Sequence, residues 1–368
     1  MSNPTRPKNA GFDVTHDRSL LLEVSGDVGI ATLNRPHRIN ALDLNLVSQL
    51  MTALTLWRSD PAVKLVVLRG AGDRGFCAGG DLRSDGASEG EGDHHFLRAE
   101  YALDFLIATY PKPVVALMDG IVMGGGFGLA GHASHRIVTE RSRLAMPETK
   151  IGLTPDAGMS YHLARVRHGW GMHWALTSST MDAADALFCG LADDYVPHSA
   201  LDSLVSALSA RGESTVQDVI NRFASPAPAA TVAEQSVMAE YWYNADSVED
   251  MLNRLDASSS GTAISAAEKI RVASPFAVKA TFSAIRSAAD LDLWGCLQQE
   301  FRYMVGLSAR SDLAEGVTAT LLEKRAARWE PRNLADVSEE SLRDIANFPV
   351  DLGAEPRHSP TPSQQSSP

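Results

Sequence analysis

The chain has 368 residues, 44% of them hydrophobic and 21% charged, with a formal net charge of −12. That acidic balance argues against a nucleic-acid surface, and no apolar run approaches the roughly 20 residues that a membrane span requires. The three cysteines, Cys77, Cys189 and Cys296, are far apart and odd in number. They form no CxxC pair and no disulfide framework, which points to a reducing compartment, the cytoplasm.

Residues 1–17 are polar, lack the apolar core of a secretory signal, and read as a flexible lead-in. Two extended runs follow, 20–24 and 28–33, with Ser25-Gly26-Asp27 between them as a hairpin signal. Pro36 ends the second, because proline cannot donate to a ladder. Asp43 starts a helix whose apolar face is Leu46, Val47, Leu50, Leu54 and Trp57, and Ser59-Asp60-Pro61 stops it. Residues 65–68 predict a short buried strand. Residues 84–93, rich in Gly, Ser and acid, predict a mobile loop. A helix is expected over 96–107, strands at 114–118 and 136–139, and a small-residue helix from Leu129. From 156 to about 191 the pattern is helical, and 201–330 is mostly helical with loops near Ser225 and Ser274. The tail from 357 is low-complexity and expected to be disordered. Strand–loop–helix units at short intervals indicate an α/β core. The organisation reads as a core over 18–200, a helical region over 201–350 and a tail over 351–368.

Two stretches carry consecutive glycines after a strand: Phe76-Cys77-Ala78-Gly79-Gly80-Asp81 and Val122-Met123-Gly124-Gly125-Gly126-Phe127-Gly128. Glycine lets backbone N–H groups approach a ligand closely. The N–H groups of Gly80 and Gly125 are candidate donors to one oxyanion at an acyl carbonyl, where losing a donor typically costs roughly 100- to 1,000-fold in rate. Each stretch alone is equally a tight turn. A rival also lies within the second stretch: Gly126-Phe127-Gly128-Leu129-Ala130-Gly131 fits the dinucleotide pattern GxGxxG, with Glu140 as a ribose-binding acid.

Glu148 and Asp156 form a pair of carboxylates that can divide acid, base or nucleophile work. Asp156 is also placed to cap a helix, and Glu100, inside a helix, is a surface acid by default. His132, His135, His162, His168 and His173 fit no familiar zinc spacing, so no metal is expected. There is no G-x-S-x-G elbow.

Read in series, Leu33-Asn34-Arg35-Pro36, Asn40-Ala41-Leu42, the two glycine stretches and Ala145-Met146-Pro147-Glu148-Thr149 resemble the enoyl-CoA hydratase/isomerase (crotonase) superfamily. With Pro155-Asp156, Glu315-Gly316-Val317 and Trp329, the likeness is to its 3-hydroxyisobutyryl-CoA hydrolase branch and reaches about residue 332. The resemblance implies a spiral of ββα turns with a C-terminal helical region. It places the oxyanion hole at Gly80 and Gly125, and substrate contacts at Glu100, Gly125, Glu148 and Asp156. It lays CoA along Ala78, Gly79, Gly80 and Asp81. Glu148 is the implied catalytic carboxylate, as base or nucleophile, and Asp156 orients the substrate hydroxyl or the water.

CoA is part of the substrate, so no separate cofactor is implied. The only implied partner is an acyl-CoA, with neither nucleic acid nor membrane. Superfamily relatives commonly form trimers and hexamers, which makes homo-oligomerisation an open expectation. Two departures bear on the reaction. Two-glutamate hydratases carry an acid where this chain has Gly128, which favours hydrolysis and leaves hydratase or dienoyl-CoA isomerase as the alternative. After Asp156 the chain reads Ala157-Gly158-Met159-Ser160, poorer in glycine than the branch usually is. A non-catalytic CoA-ester or nucleotide-binding protein is the reading from another class.

Overall fold

The structure is a computed structural model and describes residues 18–82 and 94–356. The expected loop at 84–93 and the tail from 357 lie outside the described residues. The aliphatic runs at the start form a hairpin. Strand β1 (Leu20–Ser25) pairs antiparallel with β2 (Val28–Leu33) around Gly26, whose φ is +61°. Helix α1 (Leu44–Ser59) is capped by the Asp43 side chain, which accepts the Leu46 N–H at 2.8 Å.

A repeating unit then begins. Strand β3 (Leu65–Gly70) is followed by β4 (Gly75–Cys77) and helix α2 (His95–Ala108). Strands β5 (Val114–Met118) and β6 (Ile121–Met123) lead into α3 (Gly125–Gly131), and β7 (His135–Val138) and β8 (Arg143–Ala145) follow. The first strand of each pair joins the larger sheet and the second joins a smaller one. The smaller sheet has the order β4-β6-β8 and is parallel throughout. The larger sheet runs β1-β2-β3-β5-β7-β9, parallel except for the hairpin, with β9 (Asp194–Tyr195) at its far edge. This is the spiral of ββα turns expected from the sequence.

The central strands are near-continuous runs of apolar residues because both faces of a parallel sheet are covered. One face, through Ala31, Val66, Leu68 and Ala116, packs with the Leu46–Trp57 face of α1. The other, through Ile30, Val67, Val115 and Ile137, is covered by α7 (Leu201–Ser209) and α8 (Val216–Asn221). The α/β layering thus continues past residue 200.

Two element boundaries differ from the sequence reading. Helix α3 begins at Gly125, not Leu129, and its glycines are helical and buried. Packing overrides their low propensity: a Cβ at Gly126 would stand 2.6 Å from Cys77 Cβ, and one at Gly128 would stand 2.5 Å from Ala157 Cβ. The helical pattern over 156–191 is broken into α4 (Met159–Leu163), α5 (Trp170–Thr177) and α6 (Ala183–Phe188). Left-handed residues at His168, Gly169 and Ser178 interrupt it.

The remaining helices are α9 (Ser236–Tyr243), α10 (Val248–Asp256), α11 (Gly261–Val272), α12 (Pro275–Ala288), α13 (Leu293–Ser308), α14 (Ser311–Val317) and α15 (Glu339–Ala346). Ser274 caps α12 with Pro275 as its first residue, so Ser274-Pro275 starts a helix. The C-terminal helices brace the turn after β8. Gly152 backs onto Asp312, and Gly316 backs onto Ile151.

Gly126→Ala tests how tightly α3 is seated. Overpacking of this kind costs about 1–3 kcal/mol, so the urea midpoint of the variant is expected to fall with an unchanged slope.

Candidate active site

The three strands of the small sheet run in the same direction and stop at the same level. Two or three residues beyond their ends come Gly80, Gly125 and Glu148. The first two loops touch: a Cβ at Gly79 would lie 3.4 Å from both Gly124 Cα and Gly125 N. Gly79 has a φ of +93° and Gly124 one of +51°, conformations that favour glycine. The Gly125 N–H opens α3, where helical N–H groups have no partner within the helix. Neither it nor the Gly80 N–H donates to another group among the described residues.

Two carboxylates bracket this glycine turn. Glu148 Oε1 lies 3.1 Å from where a Cβ at Gly124 would stand, and Glu100 Oε1 lies 1.9 Å from the same position at Gly125. Only glycine leaves room for them. Asp156 arrives on the loop before α4 and accepts the Tyr101 hydroxyl at 2.8 Å through Oδ2. It does not cap α4, whose preceding residue is Gly158. Glu100 is not a surface acid. Its place on the inner face of α2 leaves it 3% exposed, with Glu148 at 6% and Asp156 at 5%.

Of the expected CoA loop, Ala78 N–H donates to Ile39 O and Asp81 N–H to Leu42 O. The Asp81 carboxylate is held by Arg35 at 2.8 Å and Arg38 at 3.6 Å. These bonds fix the loop's path on either side of Gly80.

Two further acids complete the cluster and were not singled out from the sequence. Asp104, one turn after Glu100 on α2, is fully buried, and neither of its oxygens has a hydrogen-bond partner. Glu300, on α13, is fully buried and accepts the N–H groups of Gly158 at 2.7 Å and Ser160 at 2.9 Å. The four-residue spacing of Glu100 and Asp104 placed both on one helix face; the sequence around Glu300 held no comparable signal.

Burial disfavours the charged form of all five acids. It holds Glu100 and Glu148 well above the ordinary carboxylate range, reinforced in each by the Asp156 charge. Asp104 is raised by burial and then by Glu100. Burial pushes Asp156 up to about 6, against the hydrogen bond from Tyr101. It pushes Glu300 up to about 8, against bonds from Ser160 and Gly158.

The GxGxxG segment is not an open phosphate turn. Its glycines lie within α3 against Cys77 and Ala157, and Glu140 accepts the His198 N–H at 3.0 Å. His132 and His162 pair with one another, His162 Nε2 to His132 Nδ1 at 3.1 Å, while His132 Nε2 meets Ala157 O at 2.9 Å. His173 pairs with the Tyr243 hydroxyl. Two open clefts lie away from the acids: one of about 580 Å3 beside Arg310, Trp329 and Arg332, and one of about 440 Å3 beside Arg69, Asp119 and His198. Among the described residues no helix is long and apolar enough to cross a membrane.

This spiral, with two glycine turns beside a buried glutamate, is the fold that solved structures of CoA-ester enzymes share with this chain. The chain matches the family described as Enoyl-CoA hydratase/isomerase over residues 28–346. It belongs to that family. It is 35% identical over 338 residues to the mitochondrial 3-hydroxyisobutyryl-CoA hydrolase of Xenopus laevis, covering 89% of this chain and 88% of the relative. It is 33% identical over 338 residues to the probable 3-hydroxyisobutyryl-CoA hydrolase 3 of Arabidopsis thaliana, covering 87% and 89%. Among solved structures it is similar to a carnitinyl-CoA dehydratase from Mycobacterium thermoresistibile, with a TM-score of 0.87, 38% identity, and 92% of this chain and 99% of that one covered. An enoyl-CoA hydratase from Rhodobacter sphaeroides follows at a TM-score of 0.82 and 33% identity, covering 89% and 97%.

Acids whose folded pKa is raised give the sign of a pH dependence. Their contribution to stability is full below the unfolded value of about 4 and is lost as pH rises through the folded values. For Asp156 and Glu300 those are about 6 and about 8. The melting temperature is expected to fall between about pH 5 and about pH 9. In Asp104→Asn, which buries no ionisable group there, the fall should be smaller. Scanning calorimetry across that range measures both, and an equal fall in the variant would show that folding does not raise the Asp104 pKa.

Proposed function

We propose that this chain is an acyl-CoA thioester hydrolase acting on 3-hydroxyisobutyryl-CoA in valine breakdown. The observation that carries the reading is the glycine turn itself. The Gly80 and Gly125 N–H groups have no acceptor among the described residues, Glu148 lies buried against Gly124, and Gly128 is packed against Ala157 with no room for another acid. The names of the relatives point the same way.

In this reading the Gly80 and Gly125 N–H groups bind the thioester oxygen and stabilise the negative charge that develops on it. Glu148 transfers the acyl group to water, either by taking the proton of the attacking water or by forming an acyl anhydride that water then opens. Its raised proton affinity suits a base that works near neutral pH. The C–S bond breaks and CoA leaves as the thiol. Asp156, with Oδ2 engaged by Tyr101, uses Oδ1 to accept the substrate hydroxyl, and Glu100 flanks the acyl group from α2. Ala78, Gly79, Gly80 and Asp81 line the path of CoA. No separate cofactor is required. The three reduced cysteines suit a cytoplasmic setting.

The second reading is hydration of an enoyl-CoA. It is favoured by Glu100, a second buried acid beside Gly125, and by the names of the two solved relatives. Purified protein given 3-hydroxyisobutyryl-CoA is expected to release thiol, whereas with crotonyl-CoA the enoyl absorbance should persist. The reverse pattern replaces hydrolase by hydratase. Glu148→Gln should lower thiol release by roughly 10²- to 10⁴-fold with little change in substrate binding. A fully active variant removes Glu148 from the mechanism.

A further inference from the structure

The turn that carries Asp156 is an unusual piece of backbone. Ala157 has a φ of +55° and Gly158 one of +74°. Two successive left-handed residues, the first of them with a side chain, do not persist unless their surroundings over-determine them. Three groups from three different elements hold this turn. Tyr101 of α2 donates to the Asp156 carboxylate. His132, just past α3, meets the Ala157 carbonyl at 2.9 Å. That carbonyl can only accept, so His132 Nε2 carries its proton, and its Nδ1 accepts from His162 Nε2. Burial keeps His132 neutral, lowering its pKa to about 4.

The third group is the Glu300 carboxylate. It is fully buried on α13 and reaches 142 residues back along the chain, with one oxygen on the Gly158 N–H and the other on the Ser160 N–H. Both of these donors stand within four residues of Asp156. No lysine or arginine forms an ion pair with Glu300 among the described residues, and the two backbone amides are the groups that hold its carboxyl. A carboxylate buried at this cost that spends both oxygens on one turn acts on that turn.

We propose that Glu300 is a positioning residue for the acyl site. By fixing the Gly158 and Ser160 N–H groups it sets where the Asp156 carboxylate stands, and so lets the C-terminal helices govern recognition of the substrate's hydroxyl. The hydroxyl part rests on the function proposed above; the holding of the turn does not.

The test uses the full chain with Glu300→Gln and Glu300→Ala. Gln keeps the shape and one acceptor, and keeps the question open if the alanine variant does not fold. Hydrogen exchange of the peptide covering 156–160 is read first. Protection there is expected to fall by about tenfold or more in Glu300→Ala, as loss of two buried hydrogen bonds dictates, and by less in Glu300→Gln. Unchanged exchange in both overturns the proposal whatever the kinetics. KM and kcat are then measured with 3-hydroxyisobutyryl-CoA and with isobutyryl-CoA, which lacks the hydroxyl. KM for the first should rise about tenfold, with kcat and the second substrate little affected. Loosened exchange with equal losses on both substrates leaves the clamp standing and removes only the hydroxyl role of Asp156. Loosened exchange in a variant that retains wild-type KM and kcat on both overturns the link to substrate.

Discussion

Backbone hydrogen bonds between three short strands, β4, β6 and β8, decide where Gly80, Gly125 and Glu148 stand. The strands are parallel, Gly75 opposite Ile121 and Ile121 opposite Arg143, with a register shift in β4 between Gly75 and Cys77 that sets Cys77 opposite Val122. Their ends are therefore level, and the residues that follow each end emerge side by side. Gly80, Gly125 and Glu148 come from positions up to 68 residues apart, yet the same ladder delivers all three. A one-residue slip in any strand would send the following loop to the other face. The larger sheet holds this ladder still, while α2 adds Glu100 and Tyr101 to the site from the side.

Around that ladder the chain buries five carboxyl groups, and among the described residues no lysine or arginine forms an ion pair with any of them. This runs against the stability of the fold, since an uncompensated buried charge is disfavoured. The groups relieve it in different ways. Asp156 and Glu300 take hydrogen bonds from Tyr101, Gly158 and Ser160, whereas Asp104 takes none. Such a concentration of strained acids is expected where proton affinity matters to function.

The sequence disclosed the repeating strand–loop–helix order because local signals were strong: a Gly turn between aliphatic runs, an Asp cap, a proline stop. It disclosed Gly80, Gly125 and Glu148 because each follows a strand at a fixed short interval. Other features depended on contacts distant in the chain. The glycines of α3 carry no propensity for a helix, and only the close approach of Cys77 and Ala157 accounts for their being in one. Glu100 resembled any exposed helical acid until α3 was laid against it. Glu300 could not be found at all, since its partners lie 140 and 142 residues away and are backbone groups without a side-chain signature.

The seating of Gly128 against Ala157 reaches beyond the present reaction. In two-glutamate hydratases the resemblance puts an acid at the position of Gly128, and here the Ala157 side chain occupies that space. Ala157 in turn sits in a left-handed conformation directly after Asp156. Seating an acid at 128 therefore also requires a change at 157. Adding an acid at 128 collides with the turn, and clearing residue 157 alone opens a void without supplying a proton carrier. Residues 128 and 157 thus share one volume, and what either can become is limited by the other.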